Sequence, residues 1–186
     1  MQNYRIGFIR LAEYELLMGD EHKNSKAEKY IQIMDEYFPE KILPIEPGIS
    51  ILISDSIYFK TGNIEKQMQI LNKLFHDNSL PIETKIYLLH KFADLNNQSY
   101  TLEVAMFLIN DFHDQLDFEL QKFLGDILAD YIEQEEFVNF CDSVLNMYPL
   151  KGLLYPLVRV LHEMNQEEKA INIIEDWVQK NPDDRD

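Results

Sequence analysis

Apolar residues recur along this chain at spacings of three and four. In AINIIEDWVQKNP they fall at Ala170, Ile174 and Trp177, one face of a helix, and Pro182 stops it. Just upstream, LLYPLVRVLHEMN places Leu154, Leu157, Val158 and Leu161 on another single face, with Pro156 near the start, where a missing backbone N–H costs least. The connection between them, MNQEE, is short and polar, so the two predicted helices pack antiparallel.

A helix pair cannot bury both of its faces alone, and the pattern recurs. Twelve residues separate Val158 from Ala170, and the same interval links Gly125 to Phe137, Ala93 to Ala105 and Asp55 to Gln67. Ala12 and Ala27 pair across a turn lengthened by GDEHKNSKAE. In the second helices the offsets 0, 4, 7 and 12 hold Ala27, Ile31, Met34 and Pro39, then Phe137, Cys141, Val144 and Pro149, then Ala170, Ile174, Trp177 and Pro182. Gln67, Leu71 and Leu74 fit the same offsets without the proline, as do Ala105, Ile109 and Phe112. Successive register points lie 40, 38, 32 and 33 residues apart. The spacing predicts an all-α fold, an α-α solenoid of about five helical hairpins, approximately 3–39, 49–77, 82–114, 117–148 and 151–181, in one domain spanning 1–186.

This chain resembles the tetratricopeptide-like helical repeats, whose period is about 34 residues. The likeness is carried by three closing prolines and by the turn glycines Gly19 and Gly62. It implies that Ala12, Ala27, Ala93, Ala105, Gly125, Ala170 and Trp177 pack the repeats. Asp55, Gln67 and Phe137 stand in slots that such repeats fill with small residues, so the second and fourth hairpins are expected to splay. The last helix is expected to close the stack. FPEKILPIEPGIS, with Pro39, Pro44, Pro47 and Gly48, reads as an extended linker between the first two hairpins.

Composition narrows the function classes. With 46% hydrophobic and 27% charged residues the chain is globular rather than disordered. The single Cys141 excludes an internal disulfide and a cysteine metal cluster, and suits a reducing compartment. No stretch reaches the roughly 20 apolar residues of a membrane span, and Arg10 and Glu13 interrupt what would be the apolar core of a signal peptide. The net charge of −16 is lopsided: residues 1–93 carry −2 and residues 94–186 carry −14. Nucleic acid and anionic lipid are disfavoured as partners, whereas a basic protein or peptide is attracted. No direct membrane insertion by this chain is expected. The expected setting is cytoplasmic, or a soluble domain attached to a membrane protein.

Catalytic signatures are sparse. No phosphate-binding glycine loop, dinucleotide fingerprint, nucleophile elbow or paired-histidine zinc helix is present. FHD occurs twice, at His76-Asp77 and His113-Asp114; with His90 and Asp130 the second could be drafted into a histidine–aspartate metal phosphohydrolase. The helix register opposes this, because Phe112 is the last core-facing residue of its helix and leaves His113 and Asp114 at an exposed end. The acidic pairs Glu135-Glu136, Glu167-Glu168 and Asp183-Asp184 read as solvated charge. No catalytic, metal or cofactor-binding residue is assigned.

Tyr4, Phe8, Tyr14, Tyr30, Tyr37, Phe38, Tyr58, Phe59, Tyr87 and Phe92 enrich the first three hairpins in aromatics, and most are expected in the core. A concave groove lined by Tyr58, Asn96, Asn97, Asn110 and Asn139 is the expected recognition surface, with asparagine amides suited to an extended peptide backbone. The first third also resembles the soluble C-terminal region of bacterial multi-spanning membrane proteins related to protein O-mannosyltransferases, through Arg10-Leu11-Ala12, Pro39, Pro44, Tyr58 and Gly62. That likeness implies a non-catalytic appendage of a membrane-embedded glycosyltransferase-like protein. The repeat pattern itself points to a protein-binding or scaffolding module.

Overall fold

The computed structural model describes residues 2–182; the acidic pair Asp183-Asp184 lies outside them. Among the described residues all regular structure is helical. The helices gather into two compact units, Met1–Asn78 and Ser79–Asp186.

In the first unit α1 (Gln2–Met18) pairs with α2 (Lys23–Tyr37). Each helix buries residues at helical spacing: Arg5, Ile9 and Ala12 on α1, and Ala27, Ile31 and Met34 on α2. The opposed alanines are fully enclosed, which lets the two backbones approach closely. The proline-rich segment after α2 is not simply extended. Ile42 and Leu43 donate their backbone N–H groups to the Pro39 carbonyl, both at 2.9 Å, and close a turn before the chain straightens toward Pro47.

Pro47 occupies the first position of α3 (Pro47–Ile53), where its missing N–H is harmless. The helix then widens into a π turn, Ser54–Tyr58, before α4 (Phe59–Thr61). A π turn holds one residue more than an α turn and shifts every later side chain around the axis. The close-packing slot expected at Asp55 is consequently filled by Ser54, which is buried while Asp55 is only half-buried. Gly62 adopts φ +73, the left-handed conformation that ends helices. Asn63 then caps α5 (Ile64–Phe75) by accepting the Lys66 N–H at 3.3 Å. Because α5 packs along both α3 and the π turn, the second hairpin is not splayed, although Gln67 is buried in it.

The second unit comprises α6 (Ile82–Ala93), α7 (Gln98–Phe112), α8 (Phe118–Tyr131), α9 (Gln134–Met147), α10 (Leu154–Glu163) and α11 (Glu167–Lys180). First helices lie side by side, α6 on α8 and α8 on α10, and each second helix touches the next first helix, α7 on α8 and α9 on α10. This is the stacking of a helical-repeat array. Polar residues set the turns. Asn97 accepts the Tyr100 N–H at 3.1 Å, and Asp117 accepts the Leu120 N–H at 2.9 Å. The fourth hairpin is open as expected: buried Phe137 fills the slot, and α8 meets α9 over a shorter stretch than α1 meets α2.

Gly125 fixes the α8–α10 spacing. A Cβ built there would lie 2.5 Å from Pro156 Cγ, closer than real contacts allow, and a tight 3.0 Å from Leu153 Cδ2. Gly7, on the outer side of α1, has nothing within 4 Å. None of the described helices is long and apolar enough to cross a membrane.

This packing can be tested at two glycines and one thiol. In urea denaturation, Gly125→Val is expected to destabilise by about 2 kcal/mol, because a rigid proline ring must move, while Gly7→Ala stabilises by about 0.5–1 kcal/mol through helix propensity alone. Burial also pushes the Cys141 thiol well above its ordinary range; an aromatic disulfide reagent is therefore expected to leave it untouched in the folded protein and to titrate one thiol after denaturation.

Candidate functional site

The first unit holds an open cavity of about 710 Å³ between α2, the 39–45 segment, α3 and α5. It depends on a residue buried beneath that segment. Arg5 sits on the core face of α1, one turn before Ile9, and is fully enclosed. Its guanidinium donates to the carbonyls of Phe38 (2.7 Å), Pro44 (3.0 Å) and Leu43, and to Gln2 Oε1 at 3.1 Å. Gln2 Nε2 donates to the same Pro44 carbonyl at 3.0 Å. Proline-rich backbone has carbonyls to spare and few N–H groups to meet them. One planar, permanently charged fork therefore does for this segment what a strand partner would do elsewhere.

The cavity floor is apolar, formed by Ile31, Ile45, Ile53, Ile70, Leu74 and the buried Tyr58 ring. Its rim carries both signs of charge: Asp35, Glu36 and Glu40 against Lys41, Lys66 and Lys73. Lys73 pairs with Glu40 and ties α5 to the linker turn. Lys66 stands 5.1 Å above the centre of the Tyr58 ring and 3.6 Å from Glu28 Oε2, to which Asn63 also donates at 2.8 Å. Burial, with Asp35 and Glu28 nearby, pushes the Tyr58 hydroxyl up to about 12, so it stays a neutral donor at any physiological pH. Burial raises the Asp35 carboxyl as well; Arg5 opposes that rise and Glu40 adds to it. A greasy floor under amide and ionic groups suits an amphipathic ligand held by one apolar side chain.

The other residues expected on a groove lie in the second unit. Asn96 takes φ 56 in the α6–α7 turn, and Asn97 caps α7; both are exposed. Asn110 Oδ1 accepts from the Tyr148 hydroxyl at 2.9 Å, joining α7 to the end of α9. Asn139 is exposed on α9. All the expected repeat-packing residues, Ala12, Ala27, Ala93, Ala105, Gly125, Ala170 and Trp177, lie buried on their helices.

The aromatic expectation needs correction. Only Tyr58 and Phe92 of the ten are buried; Tyr4, Tyr14, Tyr37, Phe59 and Tyr87 are exposed, and Phe8, Tyr30 and Phe38 are half-buried. Tyr4 stays mostly in solvent although it stacks on Phe38, with ring centres 6.1 Å apart, and Tyr14 is exposed as well, which a helical period alone does not reveal.

The drafted hydrolase residues are not brought together. His90 Nε2 lies 3.1 Å from the Tyr131 hydroxyl, which donates to Asp94 at 2.6 Å. His113 stacks on Tyr148 with ring centres 4.5 Å apart and pairs with the adjacent Asp114. Asp130 pairs with Arg159 at 3.4 Å, as Asp126 does at 3.2 Å. Among the described residues, no group of three or more His, Cys, Asp or Glu side chains is placed to hold a metal ion.

No protein-family model matches the sequence, and no curated protein matches it. The resemblance of its first third to O-mannosyltransferase-related proteins therefore stands without support. Solved structures of helical-repeat proteins are similar in outline. MamA of AMB-1 is 12% identical, covering 98% of this chain and 94% of its own, with a TM-score of 0.45. A Podosopora anserina protein assigned as a kinesin light chain, with nearly identical TPR-like repeats, is 13% identical over 97% and 96%, with a TM-score of 0.47. At such identities the likeness concerns the fold alone, and the fold rests on the helices already described.

Replacing Arg5 with Met is expected to cost about 3 kcal/mol or more, since three carbonyls lose a charged donor inside the protein. Limited proteolysis should then cut between residues 38 and 46. Lys at the same position is expected to restore little, because a point charge cannot span the three acceptors. An unchanged urea midpoint and cleavage pattern in R5M would show that the clamp is dispensable.

Proposed function

We propose that this chain is a non-catalytic protein-binding module that takes a peptide, or a segment of a neighbouring domain, in the cavity of its first unit. The observation that carries this reading is the cavity's make-up, an apolar floor including Tyr58 and Ile70 beneath a rim of Gln32, Gln69 and paired charges. It offers anchoring and hydrogen bonding, which suit a peptide carrying one apolar side chain.

The partner we infer is basic. Residues 79–186 carry eight Lys and Arg against 21 Asp and Glu, a net of −13, while residues 1–78 carry −3. An acidic unit raises the encounter rate with a cationic segment, and salt screens the effect over about 10 Å. The same charge disfavours nucleic acid. A cytoplasmic setting fits a lone, enclosed thiol. The two units are read as working together in one repeat domain.

The test is selection of displayed random peptides on the whole chain at low salt, followed by affinity measurement. Enriched peptides are expected to combine a bulky apolar residue with Lys or Arg. They should lose about tenfold in affinity on Ile70→Glu, which places a charge on the floor, and should weaken as salt rises. Peptides that bind I70E as well as the parent chain, or a selection that enriches nothing, would remove the cavity from the account.

A further inference from the structure

Both end helices leave an apolar stripe bare. On α11, Ile171, Ile174 and Val178 succeed one another at spacings of three and four and are exposed, Ile171 at 55% and Ile174 at 41%. The same positions 33 residues upstream, on α9, are Val138, Cys141 and Leu145. There Val138 is 2% exposed, Cys141 is fully enclosed and Leu145 is half-buried. The difference is a further hairpin: α10 packs on α9, and the described chain has no helix in the matching place beside α11.

α1 mirrors this. It exposes Tyr4, Leu11, Tyr14 and Met18, at spacings of seven, three and four. In the register of Ala12, Ala93, Gly125 and Val158, Leu11 takes the position of Phe92, Leu124 and Leu157. Those three are at most 1% exposed, and Leu11 is 48% exposed. Among the described residues, α11 is thus a second helix with no next first helix on it, and α1 a first helix with no preceding second helix on it. Repeat arrays usually end in polar faces, because an apolar end is sticky.

We propose that the occupant of each face is a second copy of this chain: α11 of one molecule lies on α1 of the next, head to tail. The two bare surfaces are the halves of a contact the chain already makes internally, where α7 meets α8 and α9 meets α10. The lengths suit each other, about 21 Å for α11 and 25 Å for α1 at 1.5 Å per residue. Charge suits as well. Arg10 is exposed beside Leu11 on α1, and Glu175 is exposed beside Ile174 on α11. Such a contact joins unlike surfaces, so each molecule keeps one face free and association continues past the dimer until a ring closes or a fibre grows.

Sedimentation equilibrium of the whole chain tests this, with Leu11→Glu and Ile174→Glu as variants. Both positions are on the surface, and circular dichroism and the urea midpoint check that the variants fold. The parent mass is expected to rise with concentration above the 22.1 kDa of one chain, and each variant alone to stay at that mass. An equimolar mixture of L11E and I174E should form a species of twice the chain mass, because the first keeps a sound α11 and the second a sound α1. Glu175→Arg should weaken the parent association, and adding Arg10→Glu to the same chain should restore it. The proposal is overturned by a parent chain that stays at one-chain mass up to its solubility limit, which would give the faces to another protein or to a flanking segment. It is equally overturned by a variant that still self-associates alone, which would mean like-on-like pairing, or by a mixture that remains monomeric.

Discussion

A single buried guanidinium holds the first unit in shape. Arg5 reaches from the core face of α1 to three carbonyls of the segment that joins the first hairpin to the second. That segment is rich in proline, so it cannot build a ladder of its own. Burying a charge is expensive unless its donors are met; backbone carbonyls and Gln2 take up the two terminal nitrogens here, while Nε is left without a partner. In return the linker turn is fixed, and with it the places of Pro39, Glu40 and Ile45, which line the cavity. The most awkward core residue of the chain thus serves the backbone around the hollow of that unit.

The second unit solves its packing differently. Small or absent side chains set the distances there, above all Gly125 against the Pro156 ring. Asparagine and aspartate side chains tie down the turns and helix starts. Ion pairs such as Arg159 with Asp126 and Asp130 lie at the surface, where each contributes little to stability. Excess acid therefore accumulates on this unit as a property of its field more than of its fold.

The hairpins were legible because each second helix must bury one face against its own partner. Ala27 and Met34 on α2, and Phe137 and Val144 on α9, show that requirement directly in their spacing. What a neighbouring hairpin covers is another matter. Ile171 and Val138 look alike in sequence, and only the presence or absence of a further helix separates them. The cavity was hard to foresee for a related reason. Its charged residues read as solvated surface, and Arg5 shares the period of Ile9 and Ala12 without announcing which carbonyls it will find. Asparagine also has structural work here: a left-handed turn at Asn96, a helix start at Asn97 and a tyrosine hydroxyl at Asn110.

The π turn at Ser54–Tyr58 has the geometry of a one-residue insertion absorbed inside a helix. Each residue of an α-helix advances about 100° around the axis. Wound as a regular α-helix, the same residues would set Ile53 and Tyr58 about 140° apart around the axis, and the two could no longer face the same cavity. The first unit is in this sense written in two reading frames, one from Pro47 to Ile53 and one from Tyr58 onward. Its hollow exists because the seam between them falls at the floor.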